Sequence, residues 1–241
     1  MALRILHTAD LHDRLDRARS EALGFLRDRT GALLLDSGDA VGAGNVYVRA
    51  REPVIEEMNR AGYAAMALGN REFFFRRSGL IRKTAAAHFP VLAANLLPLH
   101  GDLGHVMRWT QLTSGDETVG LFGLMPTMIA PGHPFERVSD VRFIEWQAAA
   151  VEAVEALRER VDWLIALSHL GSEDDRALTE LCPQIDLILG GHSHISGSSE
   201  VGPRPTLVSY AGCHARQVAV IEAERDERAR NQFEWRLMEM G

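Results

Sequence analysis

Cysteine is almost absent: Cys182 and Cys213 are the only two in 241 residues. They are far apart and in no C-x-x-C arrangement, which argues against a disulfide framework and excludes a thiolate-rich structural zinc site. A reducing compartment is the simplest expectation. Lysine is scarcer still, because Lys83 stands alone and the remaining positive charge is arginine. Acidic residues outnumber basic ones, 33 to 26, for a net charge of −7. That balance argues against general affinity for nucleic acid or anionic membranes. No apolar run is long enough to span a bilayer. No signal-peptide pattern precedes the first strand-like segment, so a cytoplasmic protein is expected. Internal repeats, low-complexity tracts and linkers are also missing, and one domain over residues 1–241 is the expectation. The glycines at 42, 44, 190 and 191 are not followed by Gly-Lys-Ser/Thr, so neither cluster is a phosphate-binding P-loop.

What is present is a 46% hydrophobic composition, enough for a full core. Apolar runs predict strands over 3–8, 32–35, 64–68, 90–94, 163–167, 185–189 and 206–210. Helical spacing predicts helices over 14–28, 53–61, from after Arg77 to about 88, 144–160 and 173–181. In the helix over 144–160, Ala148, Val151, Val154, Ala156 and Leu157 fall on or beside one face. Residues 40–46 read as a glycine-rich loop, 96–107 as a loop and 126–134 as irregular. Hairpins are expected over 108–112 with 118–124, and over 218–223 with 233–238 across a charged turn. Alternating strands and helices point to an α/β fold with largely parallel strands.

The chemistry sits just after the strands. Gly190-Gly191-His192-Ser193-His194 follows an apolar run. Read as extended chain, it places His192 and His194 on one face, with the glycines allowing a sharp turn. Four other strand ends carry polar groups: Asp10 and His12, Asp39, Asn70, and His169. In open α/β sheets, sites form at the carboxyl ends of strands. Two carboxylates, one amide oxygen and four imidazoles should therefore converge on one crevice. Calcium would want oxygen ligands only. Imidazole with carboxylate suits manganese first, with iron, zinc or cobalt as the other candidates. Seven ligands are too many for one ion but suit two divalent ions sharing a carboxylate. Two such ions can hold a hydroxide and clamp a phosphoryl group for in-line attack.

The motifs Asp10-x-His12, Gly38-Asp39, Gly69-Asn70, Ser168-His169 and Gly191-His192-Ser193-His194 resemble, in order, those of the calcineurin-like metallophosphoesterases. Leu6-His7-Thr8-Ala9-Asp10-Leu11-His12 and Gly69-Asn70-x-Glu72-Phe73 are similar to the N-terminal catalytic domain of the 5'-nucleotidase branch, from residue 3 to about 223. The resemblance implies a four-layer α/β/β/α sandwich. It also implies one metal held by Asp10, His12, Asp39 and His194. Asn70, His169 and His192 would hold the second, with Asp39 as the bridge. Two positions depart from the family. Arg71 stands where the family has a histidine near the leaving group, and Phe74 stands where it has that histidine's aspartate partner. Arginine cannot act as a general acid, but its planar fork can bind phosphate. The sequence ends at Gly241 without a counterpart of the base-stacking C-terminal domain, which leads to an expectation of weak base discrimination.

Arg71, Arg76, Arg77, Arg82 and Lys83 form a basic run beside the expected anion site; a solvated helix start is the preferred reading, with polyanion attraction as the other. Phe73, Phe74 and Phe75 are expected to pack beneath a loop rather than stack on a base. His7 is expected to be a hydrogen-bonded structural histidine. His214 follows a strand end and is a lesser candidate for the missing acid. The expectation is a dinuclear-metal phosphoesterase acting on small phosphomonoesters, possible nucleotides included, with Asn70 and Arg71 binding the substrate and stabilising developing charge. The rivals are a phosphodiesterase and a metal-bearing scaffold without catalysis.

Overall fold

The computed structural model describes residues 2–42, 44, 47–49, 51–202, 204–228 and 230–241. The glycine-rich loop expected over 40–46 lies outside the described residues at 43, 45 and 46, as does residue 229 of the charged turn. In chain order β1 (Leu3–Thr8) is followed by α1 (Arg17–Thr30), β2 (Leu33–Asp36), α2 (Pro53–Ala61) and β3 (Ala65–Ala67). Next come α3 (Arg77–Thr84), β4 (Val91–Leu92), β5 (Leu96–Pro98), β6 (Val106–Met107), β7 (Trp109–Ser114) and β8 (Glu117–Leu124). The second half holds α4 (Glu136–Ser139), β9 (Val141–Phe143), α5 (Trp146–Leu157), β10 (Trp163–Ser168), α6 (Ser172–Leu181) and β11 (Leu187–Gly190). It ends with β12 (Ser196–Val201), β13 (Thr206–Ala211), β14 (Gln217–Arg225) and β15 (Asn231–Glu239). Among the described residues no helix is long and apolar enough to cross a membrane.

Two mixed sheets form. The first has the order β15-β14-β1-β2-β3-β4-β6 and the second β12-β13-β11-β10-β8-β7. The central strands are parallel: β1 with β2 and β3 in the first sheet, and β8, β10, β11 and β13 in the second. Both faces of these strands are covered, which explains why they read as unbroken apolar runs instead of alternating ones. Alternation is still present, but it sorts residues between two cores. Ile5, Leu35 and Ala67 meet Ile165, Leu167, Leu187 and Leu189 between the sheets. Their neighbours Leu6, Leu34 and Met66 pack outward beneath Leu23 of α1, Ile55 and Met58 of α2 and Leu80 of α3. On the other side Leu164, Ala166 and Ile188 pack under α5 and Leu178 of α6. Three cores between four layers give the α/β/β/α order that was expected.

Local differences have physical causes. Asp16 caps α1 by accepting the Arg19 N–H at 2.9 Å, and so starts the helix three residues later than expected. The buried face of α5 is Trp146, Ala149, Ala150, Ala153, Val154 and Leu157. Ala148 and Val151, expected on that face, are exposed; small alanines sit against the sheet instead. The third helix is shorter than expected, and the 96–107 loop contains β5 and β6. The polar strand β12 carries no apolar alternation; it is held by six antiparallel pairs to β13.

The sheets come into close contact where β8 passes β4. A Cβ on Gly123 would overlap the Leu92 carbonyl, while the Ala94 N–H donates to the Gly123 carbonyl at 2.7 Å. Gly123→Ala should push the layers apart and cost about 2 kcal/mol, or roughly 5 °C in Tm for a chain of this size. A thermal unfolding midpoint equal to that of the parent protein would refute the close approach.

Candidate metal centre

The carboxyl ends of both sheets face one crevice. Past β1 and β2 the pairing continues as a ladder of turns: Asp10 N–H to Gly38 O at 2.9 Å, His12 N–H to Asp39 O at 3.1 Å, and Asp13 N–H to Ala40 O at 2.9 Å. From the other sheet, the Gly191 N–H reaches Ser168 O at 2.8 Å and the His192 N–H reaches Asp10 Oδ2 at 2.9 Å. His192 and His194 do not lie in extended chain. Both have positive φ, 68° and 54°, and the strand stops at Gly190. Asp10 and His12 are likewise left-handed, at 52° and 46°. Convergence here comes from tight turns rather than strand alternation. The glycines also act differently from expectation. A Cβ on Gly190 would overlap the Tyr210 ring, and one on Gly191 would sit 3.0 Å from His169 Nδ1 and from Ser37 O. They permit close approach rather than an unusual turn.

Five of the seven expected ligands form two triads. Ligand atoms of Asp10, His12 and His194 all lie within 4.8 Å of one another, as do those of Asp10, Asp39 and His169. Asp10 Oδ1 is 3.2 Å from His194 Nε2 and 3.7 Å from His12 Nε2. Asp39 Oδ1 is 3.4 Å from His169 Nε2. His192 stands edge-on to His169 with ring centres 5.1 Å apart. Asn70 lies between Gly69 and Arg71, whose N–H groups are held by Glu72 and Asp39. The carboxylate common to both triads is Asp10. Asp39 belongs to the His169 triad, and its carbonyl pins the backbone of His12.

The donor set fits divalent metal. Asp10 Oδ1, Asn70 Oδ1 and His169 Nε2 are buried and have no hydrogen-bond partner among the described residues. His12 Nε2 and His194 Nε2 lie 3.0 Å apart. Buried acceptors of this kind are costly unless something positive sits among them. Burial works against the charge of His169, but the facing Asp39 and Asp10 outweigh it and hold its pKa up at about 9. Burial likewise opposes ionisation of Asp39, yet the His169 beside it keeps that carboxyl below the usual range. The same electrostatic well that favours a proton on His169 favours a cation in its place.

His169 is aimed from behind. Its Nδ1–H donates to the Ser37 carbonyl at 2.7 Å, which leaves Nε2 free for the crevice. Ser37 is itself held, because its hydroxyl donates to Leu189 O at 2.6 Å and accepts from His7 Nε2 at 2.9 Å. His7 is thus the structural histidine that was expected. In the sequence Glu72 stands only as one member of the Gly69-Asn70-x-Glu72-Phe73 motif. It proves to be the buried clasp of the site, accepting the N–H groups of Asp39, Val41 and Gly69 at 3.0, 2.9 and 2.8 Å. An acid three residues after a turn glycine was its only signal. Ser37 acts through its carbonyl, which no side-chain pattern reports.

Arg71 stands at the rim. Its Nε is 3.6 Å from Asp39 Oδ2, and one terminal nitrogen donates to Gly42 O at 3.0 Å. The basic run behind it is not a solvated helix start throughout. Lys83 is buried, and Arg77 pairs with Asp140 at 2.6 Å. Phe73 packs in the core against Phe143, as expected, while Phe74 and Phe75 are half-buried. The His214 ring stands 5.1 Å from that of His12, on a left-handed turn whose N–H donates to Asp10 O at 2.7 Å.

Calcineurin-like phosphoesterase is the family whose profile matches, over residues 3–196. A snake venom 5'-nucleotidase of Gloydius brevicauda is 30% identical over 92% of this chain and 43% of its own length. The 5'-nucleotidase of Bos taurus is 32% identical over 80% of this chain and 38% of its own. The crystal structure of a 5'-nucleotidase precursor from Thermus thermophilus superposes with a TM-score of 0.82 at 26% identity, covering all of this chain and 55% of that one. The chain therefore spans about half or less of the length of these relatives.

Two measurements test the centre. After loading with manganese and dialysis, elemental analysis should find up to two ions per chain. Asp39→Asn should lose both, whereas Asp10→Asn and His12→Ala should each keep the one facing Asp39 and His169. Two ions retained in both Asn variants would show that the ligands are elsewhere. The second test concerns His7, whose burial drives its pKa down to about 3. An unfolded chain binds that proton near the ordinary value of about 6.5. Stability from this group is complete above about pH 6.5 and falls as pH drops toward 3. His7→Gln should flatten the urea-unfolding stability curve across that window; an unchanged slope would mean that His7 is not held neutral.

Proposed function

The chain belongs to the calcineurin-like phosphoesterase family, and on that premise we propose that it hydrolyses small phosphomonoesters, nucleoside 5'-monophosphates among them, using two divalent metal ions. The observation that carries this reading is the set of unpartnered buried acceptors on Asp10, Asn70 and His169, drawn from both sheets and opening beside a free-edged arginine. Asp10, His12, Asp39 and His194 would hold one ion and Asp39, Asn70, His169 and His192 the other, manganese being the first candidate. Such ions supply Lewis-acid activation of water and of phosphoryl oxygen. Nucleotides enter because the relatives are 5'-nucleotidases.

The chain's own residues set the rest. Arg71 is charged at every working pH and places a planar fork at the rim, where it would bind the non-bridging oxygens of a phosphoryl group. Its backbone N–H fixes Asp39 at 2.7 Å, so the same residue orders a ligand and meets the substrate. The Asn70 amide would bind the phosphoryl group as charge builds on it. Arg71 cannot give a proton to the leaving group. A good leaving group needs none, whereas an alkoxide does. Within the basic run that would favour an extended diester, Arg77 is paired with Asp140 and Lys83 is spent on backbone carbonyls, which leaves fewer charges for a diester and supports the monoester.

Activity should appear with p-nitrophenyl phosphate and manganese and be at least about tenfold weaker with the bis-p-nitrophenyl diester. Aryl monoesters should exceed alkyl monoesters of similar size by roughly 10²-fold or more, the size of the absent acid catalysis. Arg71→Met should lower kcat/KM by about tenfold, or ~1.4 kcal/mol. A rate series across leaving groups decides the matter. A shallow series would mean that another residue supplies the proton. No turnover of any ester by metal-loaded protein would leave a metal-binding scaffold as the reading.

A further inference from the structure

Lys83, the only lysine in the chain, lies in the last turn of α3 and is 1% exposed. A buried ammonium is costly unless its donors are used. Its Nζ donates to the Arg71 carbonyl at 2.6 Å and to the Gly44 carbonyl at 2.8 Å. The Phe74 ring covers it at 6.0 Å and packs onto Gly79 of the same helix, where a Cβ would overlap it. Arg71 spans the same gap in parallel, because its guanidinium donates to Gly42 O at 3.0 Å. Two cationic struts therefore tie the turn at 69–72 to Gly42 and Gly44. One strut is buried and fixed; the other is at the rim and has donors left over for an anion.

We infer that Lys83 is a positioning residue for Arg71. By gripping the Arg71 peptide from below and the Gly44 peptide opposite, it aims the guanidinium across the rim beside Asp39. The inference rests on the proposed role of Arg71 in binding the phosphoryl group. Without Lys83 two carbonyls would lose their shared donor, the gap between the segments would relax, and the guanidinium would no longer be held over the crevice before the substrate arrives. Pre-set charge of this kind lowers the cost of ordering on binding. The metal ligands keep their own supports, since Glu72 holds Asp39 and Ser37 holds His169. Loss of Lys83 should therefore weaken substrate binding and leave metal content and the chemical step largely intact.

The test compares the full chain with Lys83→Met, Lys83→Arg, Arg71→Met and the Lys83→Met/Arg71→Met double variant. Lys83→Met should raise KM for p-nitrophenyl phosphate, and the inhibition constant of inorganic phosphate, by roughly tenfold, with kcat within about threefold and metal content unchanged. Lys83→Arg, which can still reach both carbonyls, should recover most of the loss. In the Arg71→Met background, Lys83→Met should add less than about twofold, because the two residues act as one unit. A fall in kcat at constant KM, or effects that multiply fully, would overturn the inference. If Lys83→Met does not fold, Lys83→Gln keeps one donor and should give an intermediate KM; a KM equal to that of the parent would count against the inference. Hydrogen exchange at the Arg71 amide supplies a readout free of activity. It should speed up in Lys83→Met and slow again in Lys83→Arg. If the parent neither turns over esters nor binds phosphate, the functional reading fails, and unchanged exchange would then reject the positioning role as well.

Discussion

Four carboxylates, Asp10, Asp36, Asp39 and Glu72, are buried at one end of two sheets, and their repulsion is the constraint that the surrounding structure contains. Burial first, and neighbouring carboxylates with it, push the carboxyls of Asp36 and Glu72 up in pKa. Each is answered differently. Asp36 accepts from the Thr8 hydroxyl at 2.7 Å and from the Gly38 N–H at 2.8 Å. Glu72 is wrapped by three backbone N–H groups. Asp39 faces His169 and the Arg71 N–H. Asp10 accepts the His192 N–H with one oxygen, while the other stays without a partner. Everything that can be neutralised by the backbone has been, and what remains points inward at a space suited to cations.

Backbone strain tells the same story. Nine described residues other than glycine have positive φ, and all but Asp140 belong to the turns around this crevice: Asp10, His12, Asp13, Asp39, His192, His194, His214 and Ala215. Such conformations cost of order 1–3 kcal/mol each and persist only where the surroundings over-determine them. Here the over-determination comes from the ladder that continues β1 and β2, and from apolar strands locked on both faces. The strands are rigid so that the turns can be strained.

How much of this was legible follows from what kind of signal each residue leaves. Apolar runs followed by Asp10, Asp39, Asn70, His169 and His192 announce strand ends that carry the candidate metal-binding groups, because burial on both faces forces continuous hydrophobicity. The manner of convergence was not legible. Strand alternation put His192 and His194 on one face, whereas left-handed turns bring them in, and αL backbone at histidine or aspartate leaves little mark in sequence. The short strands β5, β6 and β9 have too few residues to show a period. On α5 the larger Val151 faces out while Ala149, Ala150 and Ala153 face in; distance to the sheet, not hydrophobicity, chose the buried side. Lys83 read as solvated because a lysine in a basic run normally is. The two carbonyls above it help make burial tolerable, and carbonyls have no sequence identity.

The crevice exists only while the sheets hold their mutual register. Asp10, Asp39 and Asn70 hang from the first sheet, and His169, His192 and His194 from the second. Their meeting is set by the core between the sheets, where Leu35 and Ala67 face Ile165 and Leu189. It is also set by direct ties across the gap: Ser37 hydroxyl to Leu189 O, His169 to Ser37 O, and His192 to Asp10. The turn carrying His214 adds a covalent tie, since it joins β13 of the second sheet to β14 of the first and binds Asp10 O on the way. A cation shared by ligands from both sides would complete the set as one more bond between layers. Occupancy of the centre would then add to the stability of the sandwich by mass action, because the ligand groups come together only when both sheets are in register.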